Sequence, residues 1–173
     1  MTALSVLDLV MIGEGQRLGD ALDASRRLAR HVEEHGYERY WIAEHHDMPG
    51  IGSAATPLII GEIAAATSSI RVGSGGIMLP NHSPLVVAEQ FATLNTLHPG
   101  RIDLGVGRAA GSGGPTVRAL RRGAPERDFE FDVTETMDYL ADNGRQRVRR
   151  PPTAIHHRRH HQNRVAARGH RVH

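Results

Sequence analysis

The sequence predicts an α/β fold built on a parallel sheet. Four apolar runs of strand length, at residues 4–11, 39–43, 70–77 and 101–105, recur about every 33 residues. Stretches with the periodicity of amphipathic helices lie between them. Strands that alternate with helices in this way are joined by right-handed crossovers into a parallel sheet. A (β/α)₈ barrel, with about 31 residues per unit, and a doubly wound sheet both contain such units, so spacing alone does not choose between them.

The N-terminal run is interpreted as the first strand and not as a secretory signal. Asp8 interrupts it, and neither a basic segment nor a small-residue cleavage site accompanies it. The helix that follows, at about 19–35, places Leu22, Ala29 and Val32 toward one face and most charged residues on another. A turn at His35-Gly36 then returns the chain to the second strand.

The remaining elements are marked by helix starts and turns. Thr56-Pro57 predicts a helix whose N-cap is Thr56, and Ser83-Pro84 predicts the start of the next helix in the same way. His98-Pro99-Gly100 is a turn before the fourth strand. After that strand we expect a Gly-rich loop at 105–114, a helical piece at 116–122 and a helix at about 132–142.

Composition excludes several classes of protein. The 173 residues include no Cys, which excludes disulfides and thiolate metal sites and gives no sign of an oxidising compartment. No apolar run approaches the roughly 20 residues that a membrane-spanning helix needs. We therefore expect a cytoplasmic protein that does not interact with a membrane.

Charge divides the chain at Gly144. Residues 1–144 carry 12 Arg and all 19 acidic residues, a net charge of −7, while residues 145–173 carry 9 Arg, no acidic residue and 6 of the 12 His. We expect one domain at 1–144 and an Arg/His-rich tail at 145–173. The tail is either a disordered basic extension or out-of-frame translation of GC-rich DNA, and its abrupt start favours the second. It lacks interleaved aromatic residues, which argues against nucleic-acid binding.

Polar residues collect where the predicted strands end. Glu44, His45 and His46 follow the second strand, Asn81 and His82 come after the third, and Arg108 follows the fourth. The carboxyl ends of parallel strands meet at one edge, where ligands bind in βα folds. Arg108 lies beside glycines, which suits an anionic group such as phosphate. A structural histidine at 45 and a surface ion pair at Arg108 are the alternatives.

Three further signals are weaker. A metal site at 44–47 is disfavoured, because neighbouring residues on an extended chain point to opposite faces, so we predict no metal. Residues 105–110 match the dinucleotide pattern G-x-G-x-x-A, but no strand ending in an acidic residue follows about 20 residues later. Gly75-Gly76 inside the third strand indicates either a flat ligand stacked on the strand or a simple bulge.

Five segments together resemble the N-terminal half of the bacterial luciferase-like flavin monooxygenases. They are LSVLDL at 4–9, WIAEHH at 41–46, RVGSGGIMLPNH at 71–82, AEQF at 88–91 and HPGRIDLGVGR at 98–108. They occur in order across residues 3 to about 144. The resemblance favours a (β/α)₈ barrel, of which this chain carries about the first four βα units.

The resemblance also implies a chemistry and a site. Such enzymes bind reduced FMN, or F420 in some branches, at the C-terminal strand ends and use O₂ to oxidise a small organic substrate. The catalytic histidine corresponds to His45, with Glu44 before it to orient it, and the phosphate-binding arginine corresponds to Arg108. A cis peptide that presents the third strand to the flavin falls at Gly75-Gly76.

This chain departs from the family in length. Family members continue for about another half barrel, and a half barrel leaves two sheet edges open. We therefore expect a truncated flavin-dependent monooxygenase that forms a homo-oligomer and receives electrons from a flavin reductase. The alternative is a catalytically inactive fragment, or a subunit that docks on a full-length partner.

Overall fold

The computed structural model describes residues 3–109, 114–121 and 128–141. Its four strands form one sheet: β1 (Ser5–Asp8), β2 (Arg39–Ile42), β3 (Arg71–Met78) and β4 (Ile102–Gly107). All three pairings are parallel, as the sequence predicts. The strand order β1-β2-β3-β4 places every strand beside its successor. Doubly wound sheets reverse their strand order near the middle, whereas barrels do not, so this order identifies a partial (β/α)₈ barrel.

Within these ranges five helices accompany the strands: α1 (Leu18–Glu34), α2 (Thr56–Ala66), α3 (Pro84–Leu97), α4 (Gly114–Arg121) and α5 (Phe129–Ala141). Single 3₁₀ turns occur at Ser53–Ala55 and Leu79–Asn81. No helix in the part of the chain that the structure describes is long and apolar enough to cross a membrane. The predicted tail at 145–173 lies outside the described residues.

The first strand is shorter than the sequence predicts. It ends at Asp8 rather than Met11, because the Asp8 carboxylate accepts the N–H of Val10 at 2.7 Å and Val10 has a φ of 54°. This left-handed conformation turns the chain out of the sheet. Met11 then pairs only as an isolated bridge with Ile51.

Two other local predictions are corrected. Thr56 is the first residue of α2 and Ala55 is the N-cap, because the Thr56 hydroxyl donates to the carbonyl of Ser53 at 2.8 Å instead of capping the helix. The predicted Gly-rich loop begins later than expected, because Gly105 and Gly107 lie within β4. A strand at these positions also excludes the dinucleotide loop that the G-x-G-x-x-A pattern suggests.

The outer face of the sheet packs against the helices and forms the core. Val6, Tyr40, Val72 and Ile102 lie in one row across the four strands. Tyr40 and Val72 are fully buried, and Val6 and Ile102 pack against the same apolar cluster. The helices contribute the rest of this cluster through Ala29, Val32, Ile59, Ile60, Ile63, Val87, Phe91 and Leu94.

The opposite face is the inner face of the partial barrel. Leu7, Trp41, Gly73 and Asp103 form its central row. Leu7 is 55% exposed, which shows how open this face is at β1. At the other side of the row, hydrogen bonds from Arg71 lower the pKa of Asp103 below its ordinary value despite partial burial, and Arg39 adds to the effect.

Glu33, near the end of α1, fixes the chain that leads into β3. Its Oε1 accepts the N–H groups of Ser68, Ser69 and Ile70 at 2.9, 2.6 and 2.9 Å and the Ser69 hydroxyl at 3.0 Å. Partial burial would raise the pKa of Glu33, but these bonds outweigh it and lower the pKa to about 2. The carboxylate therefore connects the first and third βα units.

Replacing Glu33 with glutamine is expected to lower the free energy of unfolding by about 1 kcal/mol at pH 7, a modest loss because solvent screens this partly exposed group. A carboxyl whose folded pKa is depressed stabilises the fold above its unfolded pKa. The advantage of the native carboxylate over the substituted amide should therefore be complete above about pH 4.5 and decline as the pH falls toward 2. Urea unfolding of both proteins between pH 7 and about 3.5 measures this difference in the free energy of unfolding.

The matched control is Glu34→Gln, an equal charge change at the exposed neighbouring position of α1. It should leave the urea midpoint nearly unchanged. If Glu33→Gln and Glu34→Gln behave alike at every pH, Glu33 does not hold the segment 68–70.

Candidate functional site

The candidate residues gather at the C-terminal edge of the parallel sheet. Residues 43–46 continue from β2, and Arg108 directly follows β4. Gly75 and Gly76 lie in the second half of β3, and His82 follows the 3₁₀ turn after β3. Because the four strands run parallel in sequential order, all of these positions share one edge.

Glu44 is a fully buried carboxylate at this edge, with its side chain 1% exposed. Its Oε1 lies 2.5 Å from Nε2 of His46 and 2.6 Å from Nε2 of His82, and its Oε2 accepts the N–H of Met78 at 2.8 Å. A carboxylate only accepts hydrogen bonds, so each imidazole donates from Nε2. Glu44 thereby connects the end of β2 to the end of β3.

These contacts keep Glu44 ionised. Burial alone would raise its pKa, but the hydrogen bonds from His82, His46 and the Met78 N–H together outweigh burial and lower the pKa below its ordinary value. At neutral pH the edge therefore contains a carboxylate that accepts hydrogen bonds from two imidazole rings.

His45 lies beside this cluster without joining it. Its side chain is half-buried, and its Nδ1 is buried with no hydrogen-bond partner among the described residues. The resemblance implied that Glu44 orients His45. Among the described residues the two side chains share no hydrogen bond, because both Glu44 oxygens accept from His46, His82 and Met78. The physical reason is strand alternation: residues 44 and 46 share one side of the chain and residue 45 takes the other.

Gly75 and Gly76 form the barest part of β3. The peptide between them is cis, as the resemblance implied, and the pairing register of β3 with β4 shifts between Ser74 and Ile77. Gly75 is exposed although its neighbours Val72 to Ser74 are buried. A Cβ at Gly76 would lie 2.9 Å from the carbonyl oxygen of Gly105, so β4 leaves no room for a side chain there.

Arg108 projects from the end of β4 into solvent, with its side chain 74% exposed. Its guanidinium lies 5.2 Å from the centre of the Phe129 ring and 4.0 Å from the carboxylate of Glu130. Glu130 is itself 87% exposed, so this ion pair is weak. The guanidinium is therefore available to a stronger anion.

His82 is the site residue whose role the sequence did not reveal. The sequence placed it after the third strand, but its partner Glu44 is 38 positions earlier and no motif joins the two.

Helix α4 also contacts this edge. Thr116 donates to Asp47 at 2.6 Å and Arg121 donates to Asn81 at 3.2 Å, so α4 lies over the loops that follow β2 and β3.

Relatives of known sequence cover most of this chain. It is 57% identical over 140 residues to a luciferase-like monooxygenase of Escherichia coli strain K12, a match that covers 80% of this chain and 42% of the relative. It is 43% identical over 145 residues to N-acetyl-S-alkylcysteine monooxygenase of Bacillus subtilis, a match that covers 83% of this chain and 43% of that relative. The chain therefore spans less than half the length of these relatives.

Solved structures share the architecture. The crystal structure of apo-MsnO8 matches with a TM-score of 0.76 and 41% identity, covering 87% of this chain and 46% of that chain. An FMN complex of the oxygenating constituent of 3,6-diketocamphane monooxygenase from Pseudomonas putida matches with a TM-score of 0.65 at 17% identity, covering 82% and 40%. An F420-dependent secondary alcohol dehydrogenase with an F420-acetone adduct gives 0.53 at 22% identity, covering 80% and 42%. The last two likenesses concern the fold alone.

A family model identifies the chain as a whole. The model described as luciferase-like monooxygenase matches residues 3–168 of the 173. This match includes every strand and helix of the structure and the edge that carries Glu44, His45 and Arg108. The chain therefore belongs to the luciferase-like monooxygenase family.

Proposed function

We propose that this chain is the N-terminal part of a flavin-dependent monooxygenase that oxidises a small organic substrate with O₂. The observation that carries the proposal is the C-terminal sheet edge. It combines an imidazole nitrogen of His45 that has no partner among the described residues, exposed or partly exposed backbone at Gly75-Gly76 and an exposed guanidinium at Arg108. A planar ring system with a phosphate needs these three features.

Reduced FMN, when bound, would supply the two electrons that reduce one oxygen atom of O₂ to water while the other enters the substrate. The Gly75-Gly76 backbone would face the ring system, where a side chain at Gly75 would contact Leu7 and Trp41 at 3.0 Å. Arg108 would hold the phosphate, because a guanidinium binds phosphate through paired hydrogen bonds. F420 is the alternative cofactor, since one structural neighbour is named for it.

His45 would hold or move a proton at its Nδ1. That nitrogen is buried and without a partner among the described residues, so no protein group there competes for the proton. Glu44 acts indirectly. It accepts hydrogen bonds from His46, His82 and Met78 and so fixes the segment after β2, which carries His45, against the end of β3, which carries Gly76.

The first test is anaerobic titration with reduced FMN. We expect micromolar binding that Arg108→Ala weakens about tenfold to a hundredfold, which is the range for losing a charged hydrogen bond. Arg27→Ala, at an exposed position on α1, is the matched control and should bind like the unchanged protein. Reduced riboflavin, which lacks the phosphate, should bind the unchanged protein and Arg108→Ala equally.

Two results would reject this assignment. If Arg108→Ala weakens riboflavin as much as FMN, Arg108 does not contact the phosphate. If the soluble, folded protein binds neither ligand, the non-catalytic alternative is favoured.

Two arrangements would cover the open β1 side of the sheet that the described residues form: a second copy of this chain, or the full-length partner of the docking-subunit alternative. Leu4, Leu7 and Met11 are 53%, 55% and 65% exposed in or beside this edge strand. Exposed apolar side chains on an unpaired edge favour association. We propose that a second copy covers this side, and sedimentation velocity should then show a dimer. A monodisperse monomer would contradict it.

The remaining partners follow from the proposed reaction. A flavin reductase would supply reduced cofactor, and the protein would work in the cytoplasm, where reduced flavin is available. The name of the Bacillus subtilis relative makes a thioether such as an S-alkylcysteine the first substrate to assay.

A further inference from the structure

Three metal-binding side chains converge at the strand edge. Glu44, His46 and His82 each offer one potential ligand atom, and these three atoms lie within 4.8 Å of one another. The sequence disfavoured a metal site among residues 44–47, and strand alternation does separate His45 from the cluster. His82, which reaches the cluster from beyond β3, supplies the third ligand instead.

We propose that Glu44, His46 and His82 bind one divalent transition-metal ion. Two imidazoles and one carboxylate form a ligand set that proteins use for Zn²⁺ and Fe²⁺, with further positions open to water or substrate. Two neutral rings and one carboxylate leave a charge of +1 on the bound ion. Glu44 and His46 follow β2, and His82 follows the 3₁₀ turn after β3, so two paired strands position all three ligands.

The surroundings of Glu44 support a binding site. Its second oxygen accepts the Met78 N–H at 2.8 Å, which orients the carboxylate as outer hydrogen bonds orient metal ligands. Access comes from the imidazole side, because Glu44 is 1% exposed while His46 and His82 are 14% and 29% exposed. An ion can therefore reach the buried carboxylate between the two rings.

Metal binding and the hydrogen-bonded cluster require different tautomers. Without metal, each ring carries its proton on Nε2 and donates it to Glu44. With metal, each Nε2 gives its lone pair to the ion and the ring proton moves to Nδ1. No proton is released when both rings are neutral, so the exchange replaces two hydrogen bonds with three coordinate bonds.

The test is binding of Co²⁺ and Zn²⁺ to the full chain, followed by visible absorption and isothermal titration calorimetry. Because six of the twelve histidines lie at 145–173, background sites are expected, and the measurement compares variants rather than absolute stoichiometry. His82→Asn is the primary variant, since His82 is partly exposed. His98→Asn, at the start of the turn before β4, is the matched control with the same loss of one histidine.

The unchanged protein and His98→Asn should both bind an ion at one common site. His82→Asn should lose that site or bind the ion there at least about tenfold more weakly. The Co²⁺ absorption of that site should disappear in the same variant. His46→Asn, checked for folding by circular dichroism, should reproduce the loss. The proposal is overturned if the histidine variants at 46 and 82 bind the same number of ions, with the same spectrum, as His98→Asn.

Discussion

Gly105→Ala is expected to lower the free energy of unfolding by about 3 kcal/mol or more. A Cβ at Gly105 would lie 2.4 Å from the carbonyl oxygen of Ser74 on the neighbouring strand β3. Neither atom belongs to a flexible side chain, so β3 and β4 would have to separate. The Ser74 hydroxyl fixes this approach further, because it donates to the Gly105 carbonyl at 2.7 Å and accepts the Gly105 N–H at 3.1 Å.

The consequence for the site is direct. Gly76 packs against the same stretch of β4, so separating the strands displaces the bare backbone that the proposed flavin would contact. Gly105→Ala should therefore also weaken binding of reduced FMN. Urea unfolding followed by circular dichroism measures the first effect, and anaerobic titration measures the second.

Gly107→Ala is the matched control, since it makes the same change two residues later in β4. Its Cβ would lie 3.8 Å from the carbonyl oxygen of Ile77, an ordinary contact distance. The added methyl group therefore fits. The free energy of unfolding should change by no more than about 1 kcal/mol, the size of the gain expected because alanine restricts the unfolded chain more than glycine does. Equal midpoints for the two variants would show that the close approach at Gly105 is not real.

The architecture was predictable because the signals for it are local. Each strand is an apolar run, α1 has amphipathic periodicity, and Pro57 and Pro84 mark the starts of α2 and α3, so the alternation of strands and helices follows from neighbouring residues. Their spacing did not separate a barrel from a doubly wound sheet, which differ only in which strands pair. That difference depends on contacts between residues about 30 positions apart, and the order β1-β2-β3-β4 resolves it.

The contacts of Asp8 and Glu44 were not evident from the sequence, and for one shared reason. Asp8 ends β1 early because its carboxylate binds Val10, Ser25 and Tyr40, and the last two lie 17 and 32 positions away. Glu44 likewise turns away from its sequence neighbour His45 toward His82. In both cases a carboxylate that is buried or partly buried selects donors by distance in the folded chain, which residue order does not reveal.

Glu44→Gln is expected to lower the free energy of unfolding by about 2 kcal/mol, although the two side chains have nearly the same shape. Three donors converge on the two oxygens of Glu44: the rings of His46 and His82 and the N–H of Met78. Glutamine offers one oxygen, so its NH₂ group either faces a donor or requires the rings to move their protons from Nε2 to Nδ1. In both cases the hydrogen bonds to a charged carboxylate are lost. Urea unfolding in the presence of EDTA measures this loss without any contribution from bound metal.

Glu89→Gln, the same substitution at an exposed position of α3, should change the free energy of unfolding by less than about 0.5 kcal/mol. The stricter test is the double variant Glu44→Gln with His82→Asn. If glutamine leaves His82 without a partner, removing the His82 ring relieves part of that cost. The double variant should then lose less free energy of unfolding than the sum of the losses in the two single variants. Strictly additive losses would show that Glu44 and His82 do not interact, and the connection between the ends of β2 and β3 would then depend on Met78 and His46 alone.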